Sequence, residues 1–143
     1  KYTTVVDVTA DIFFEQTINI SDQVNCVIMS SKGSVFDGQK HVQMVRVSRS
    51  SVKFWNITFT NGYSEKNGGA LWLYSSTVII VNSTFNNNSA YKGGAVFGCE
   101  ASNITLLTST FESNSADYYG GSFVVRSSTA TIRSSSFKAN SAS

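Results

Sequence analysis

The chain has 143 residues, enough for one domain with a real core, and only 14% of them are charged against 41% hydrophobic. That balance excludes a disordered polyelectrolyte, and a net charge of +2 without any Lys/Arg run excludes a phosphate-tracking nucleic-acid binder. No apolar stretch approaches the roughly 20 residues that span a bilayer. Serine and threonine make up about a quarter of the chain, a neutral polar surface of extracellular type. Proline is absent beside ten glycines, although average usage would put about seven prolines in this length.

From the N-terminus, KYTTVVDV carries no apolar leader, which predicts that one has been removed or that the segment belongs to a longer chain. Residues 1–44 alternate apolar and polar at Val6/Val8, Ile18/Ile20 and Cys26/Ile28. Period 2 reads as strand, and this stretch is expected to form irregular N-terminal coils that partly cap the repeats beyond residue 44.

A repeat governs residues 45–143. Phe59, Phe85, Phe111 and Phe137 are each 26 residues apart, and Gly68-Gly69, Gly93-Gly94 and Gly120-Gly121 recur at 25 and 27. Four apolar columns accompany them at the same interval: Val45/Leu71/Phe97/Phe123, Val47/Leu73/Cys99/Val125, Val52/Val78/Ile104/Ala130 and Phe54/Ile80/Leu106/Ile132. Cys26 lies 26 residues before Val52 and extends that column.

Each unit therefore holds about three short strands separated by turns. Units this small bury no core alone and must stack. The expectation is an all-β, right-handed parallel β-helix of about five coils, a single domain over 1–143. Proline is excluded because it would remove a ladder donor inside the stack. Each Gly-Gly is a tight corner, where a left-handed backbone is available and no Cβ meets the next coil. The apolar columns run to the last residues, which predicts further repeats or a stacked molecule beyond the C-terminus.

GGALWL (68–73), GGAVFG (93–98), FNNNSA (85–90), FESNSA (111–116) and FKANSA (137–142) resemble the repeats of the chlamydial polymorphic outer membrane protein family, known by GGA[ILV] and FxxN tetrapeptides on a right-handed parallel β-helix. Phe59-Thr60-Asn61-Gly62 and Gly120-Gly121-Ser122 depart from those tetrapeptides. The preceding segment is similar to pectate-lyase-like solenoids in general. The resemblance implies a surface-displayed adhesive element or structural stalk.

Catalysis on such a scaffold needs acids converging on one face. Of the nine acids only Asp11 and Asp37 share the 26-residue interval, and His41 reads as a solvated loop beside Asp37-Gly38. No catalytic set, metal ligand set or cofactor is predicted. Cys26 and Cys99 fall on different columns about three coils, or about 14 Å, apart, beyond the reach of a disulfide; both are expected as free thiols.

Five sequons, at Asn19, Asn56, Asn82, Asn87 and Asn103, are candidate N-glycan sites. Asn88, Asn114 and Asn140, three residues after successive phenylalanines, are expected to stack as a structural ladder whose members occupy left-handed turns. Trp55 and Trp72 in outward phase, with Tyr63, Tyr91, Tyr118 and Tyr119 in the turn before Gly-Gly, are candidate surface contacts. Together these features predict a non-enzymatic, secreted or cell-surface glycoprotein solenoid with an adhesive, stalk or filament-forming role. Its expected partners are other copies, end to end or along one face, or else glycans or a cell-surface protein. The alternative is a carbohydrate-active or carbohydrate-binding pectate-lyase-like solenoid.

Overall fold

A computed structural model describes residues 2–143, and in them the chain winds as a parallel β-solenoid of about five coils without a helix. A regular coil contains four strands rather than three. In the third coil these are Ser51–Trp55, Thr58–Thr60, Tyr63–Asn67 and Leu71–Tyr74. Like strands pair in parallel from coil to coil, giving four sheets of six, six, four and five strands, taken here as the first to fourth in that order.

Alternation puts Val52 and Phe54 of the first sheet, Phe59 of the second and Leu71 and Leu73 of the fourth into one buried core. The phenylalanine column becomes a stack of rings. Phe59–Phe85 and Phe85–Phe111 have centroids 4.6 Å apart and Phe111–Phe137 4.8 Å, all near-parallel. That spacing is the strand separation itself, so identical rings at one register position have no other arrangement open to them.

The third sheet is the main departure from the pattern read in sequence. Tyr63–Asn67, Ser89–Lys92 and Ser115–Tyr119, expected as turns, are strands. Their inward positions hold Ser64, Ala90 and Ala116, too small to give an apolar alternation. Ser89–Lys92 is one residue shorter than its neighbours, and the lost residue returns at the next corner, where Glu100 and Ala101 both take positive φ in place of Ser75 alone. Between these two irregularities the register shifts by one. Leu71 therefore pairs with Val96 rather than Phe97, and Leu73 with Gly98 rather than Cys99. The inward columns of the fourth sheet are Val45/Leu71/Val96/Phe123 and Val47/Leu73/Gly98/Val125.

Residues 2–44 continue the same sheets with unequal coils: Thr4 pairs with Cys26, Ile12 with Phe36 and Ile18 with Val45. They do not cap the stack. Val6 and Ile18, in inward columns, are 45% and 46% exposed.

The corners explain the composition. At three of them the chain takes a left-handed residue: Arg49/Ser75/Ser127, Asn56/Asn82/Thr108/Ser134 and Asn61/Asn87/Ser113/Ala139. The fourth uses Gly68, Gly93 and Gly120, with φ between +62° and +69°. The second glycine of each pair serves a different need. A Cβ on Gly94 would overlap the carbonyl oxygens of Gly121 and Ser115 and lie 2.8 Å from the Ser115 carbonyl carbon, all backbone atoms that cannot rotate away. Gly94→Ala is therefore expected to destabilise the protein by about 2–3 kcal/mol, as overpacking does in a tight interior, read as a lower midpoint in urea unfolding. Gly33→Ala, whose Cβ would meet only the Asn56 side chain at 3.8 Å, is expected to cost less.

Buried polar corners are satisfied by side-chain ladders. The Asn114 carboxamide oxygen accepts from the backbone N–H and the side-chain amide of Asn88, both at 3.0 Å, while its own amide donates to the Phe85 carbonyl and to Asn140 Oδ1, both at 2.9 Å. The left-handed residue of that corner is the one before each ladder asparagine, not the asparagine itself. Two serine ladders do the same work at the other corners. Ser50, Ser76 and Ser102 donate backbone N–H groups to the hydroxyls of Ser76, Ser102 and Ser128, and Ile57, Ser83 and Ser109 to those of Ser83, Ser109 and Ser135, at 3.0–3.2 Å. A serine fits because its hydroxyl can also donate back to a carbonyl of its own coil, as Ser83 does to Val81 at 2.9 Å.

Candidate functional site

The outward side of the third sheet gathers the densest aromatic and cationic surface. Tyr91 and Tyr118, on adjacent coils, stack at 5.5 Å with planes 6° apart, and Tyr119 tilts against Tyr118 at 5.0 Å. Lys92 Nζ lies 5.6, 5.4 and 5.0 Å from the centroids of Tyr91, Tyr118 and Tyr119. Each such contact contributes about 0.5–1 kcal/mol at an exposed site, and the three hold the ammonium among the rings. The rings themselves stay open to solvent, with Tyr118 56% exposed.

The short strand creates this cluster. Because the register slips between Ala90 and Lys92, Lys92 pairs with Tyr119 above and Asn67 below. Tyr63 lies on the same sheet one coil down and is exposed. It makes no ring contact with the other three among the described residues.

The tryptophans stand elsewhere. Trp72, half-buried on the fourth sheet, stacks on Tyr74 at 5.5 Å and 15°. Trp55, half-buried, faces outward on the first sheet between Met29 and Val81. They do not join the tyrosine cluster.

Of the sequons, Asn19, Asn82, Asn87 and Asn103 are exposed. Asn56 is half-buried, and its amide donates to the Ser30 carbonyl at 2.7 Å while its oxygen accepts from the Asn82 amide at 3.3 Å. Asn82 and Asn87 hold left-handed corners.

Asp11 and Asp37 are not register partners, because the local coil is 24 residues long and Asp37 pairs with Phe13. Asp11 accepts from the Val35 N–H at 2.8 Å, and Asp37 from the Gln39 N–H at 2.8 Å and the Asn61 amide at 3.2 Å. His41 is exposed, its Nδ1 2.9 Å from the Gln39 carbonyl oxygen.

Ion pairs run between coils on the outside: Arg49–Asp22 at 2.8 Å, Arg126–Glu100 at 3.1 Å and Lys138–Glu112 at 3.5 Å. The hydrogen-bonded Arg49 guanidinium holds the Asp22 carboxyl below its ordinary value. Both cysteines are free thiols. Cys26 lies in the Val52 column, half-buried; Cys99 is buried on the fourth sheet beside Tyr74 and Arg126, not in the Val47 column. Burial pushes both thiols above their usual range.

The serine ladders are a feature that hydrophobic periodicity passes over, although Ser76/Ser102/Ser128 and Ser83/Ser109/Ser135 recur at 26 residues. Their signal is a polar column at an inward position. Comparison of the chain with protein-family models, with curated proteins and with solved structures finds no match in any of the three.

Proposed function

We propose that this solenoid is a non-catalytic, secreted or cell-surface scaffold that adheres through the outward side of its third sheet. The observation that carries the reading is the exposed Tyr91/Tyr118/Tyr119 cluster around Lys92. Rigid aromatic surface around a positive charge suits contact with a protein partner or another copy, since rings contribute large contact area at little entropy cost. The sequence resemblance to chlamydial polymorphic outer membrane protein repeats points the same way, toward a displayed adhesin or stalk. Self-association, end to end or along the third sheet, belongs to the same proposal, as do N-glycans on the exposed sequons Asn19, Asn82, Asn87 and Asn103.

The test is adhesion. Coated on beads, the wild-type chain is expected to hold to cultured cells or to self-coated beads. Tyr91→Ser/Tyr119→Ser, with an unchanged circular dichroism spectrum, is expected to hold at least fivefold less. Equal adhesion by the two proteins, or release of sugar ends from a polysaccharide panel by the wild type, contradicts the proposal.

A further inference from the structure

On a different face from the tyrosine cluster, and independently of its role, Gln43, Arg46, Ser64, Lys66, Asn67 and Trp72 line an open cleft of about 220 Å³. We propose that this cleft binds a sulfated saccharide, with the sulfate held by Arg46 and Lys66 and the sugar ring against Trp72.

The cleft sits where the repeat is broken. Gln43 lies two residues before Val45, as Gly69 lies two before its register partner Leu71. In the later coils that position is glycine, at Gly69, Gly94 and Gly121. Here alone it carries a long polar side chain, 6% exposed, and that side chain is fully employed. Its amide donates to the carbonyls of Asn67 and Gly68, both at 2.6 Å, and its oxygen accepts from Arg46 Nε at 2.5 Å. Those bonds anchor the guanidinium through Nε and leave both Nη groups without a partner among the described residues.

Among the described residues neither Arg46 nor Lys66 forms an ion pair, although other basic residues on this solenoid meet acids of the next coil. Two uncompensated cations at one cleft call for an anion. Arg46 and Trp72 are also direct register partners on adjacent coils, about 4.8 Å apart along the stack. A charged fork and an indole therefore sit side by side, the pairing that takes an anionic group carried on a sugar ring.

The donors favour sulfate over carboxylate. Arg46, Lys66, the Ser64 hydroxyl and the Asn67 amide surround the cleft, and a tetrahedral ester presents three oxygens to such an array where a carboxylate presents two in one plane. Glu65 lines the adjoining groove with His41 and Tyr63; its negative charge repels an anion there and confines the sulfate to the Arg46–Lys66 end. A cleft of this size is below the 300–1,000 Å³ of drug-sized pockets and suits one residue of a longer chain.

The test uses the 143-residue chain made without N-glycans, because Asn19 is the register neighbour of Arg46. Titrated with a heparin tetrasaccharide, the wild type is expected to bind saturably and more weakly as salt rises. Arg46→Gln and Trp72→Ala should each weaken binding at least tenfold. Trp72→Phe, which keeps a ring and guards against a folding defect, should retain most of it, and Lys138→Gln and Tyr91→Ser/Tyr119→Ser should change nothing. A hyaluronan tetrasaccharide, carrying carboxylates only, should bind at least tenfold more weakly than heparin, as should glucose 6-phosphate. Equal binding of hyaluronan or of the sugar phosphate, absence of heparin binding, or heparin binding indifferent to Arg46→Gln and Trp72→Ala overturns the proposal.

Discussion

Phe85→Ala is expected to lower stability by about 3–5 kcal/mol, the range for removing a buried phenyl ring. Phe85 is fully buried and sandwiched between Phe59 and Phe111, each at 4.6 Å. Its loss opens a cavity in mid-stack that cannot collapse, because the strands above and below are held at ladder spacing. Phe137 occupies the same column in the last coil and is 43% exposed, so Phe137→Ala is expected to cost about 1 kcal/mol. Urea unfolding followed by circular dichroism measures both. Similar costs for the two would mean that the rings do not form one axial stack.

Asn114→Ala is expected to cost about 3 kcal/mol for a different reason, the orphaning of buried polar groups. Asn114 is fully buried and serves two neighbouring coils at once. Without its carboxamide, the Asn88 N–H and the Phe85 carbonyl lose partners in a place water does not reach, and each orphaned group costs about 1–3 kcal/mol. Asn140→Ala, at a half-buried position of the last coil, should cost less, because water can take over the Asn114 N–H that it leaves. Amide hydrogen exchange adds a local readout: in Asn114→Ala the Asn88 N–H should lose protection before the rest of its coil. Unchanged protection there would remove the asparagine ladder from the account.

The two predictions draw on different parts of what is readable in sequence. The phenylalanine column is legible because the second sheet never slips: Thr84–Asn86 meets Thr58–Thr60 below and Thr110–Glu112 above at a constant 26 residues. The fourth sheet departs from the sequence register at Phe97 and Cys99 because two compensating one-residue changes bracket it, the short strand Ser89–Lys92 and the doubled corner Glu100-Ala101. Neither change alters the intervals on either side, so only the glycine pairs, at 25 and 27, record them.

The third sheet escapes detection for a chemical reason. Its inward residues, Ser64, Ala90 and Ala116, bury almost no apolar area, so hydrophobic periodicity is silent there. That silence hides how the tyrosines come together. As strand residues on adjacent coils they are held at ladder spacing, and Lys92 reaches three rings because the strand slips at that point. The Arg46 cleft is hidden for the opposite reason: it depends on a side chain standing where the repeat has glycine, which a search for recurrence passes over.

Inter-strand nuclear Overhauser effects between backbone protons of register partners test the account most directly. Cross-peaks are predicted to link Leu71 to Val96 and Val96 to Phe123, Ala90 to both Ser64 and Ala116, and Lys92 to Tyr119. Cross-peaks linking Leu71 to Phe97, or no inter-strand contacts for Ser89–Lys92, would contradict the four-stranded coil and dissolve the tyrosine surface built on it.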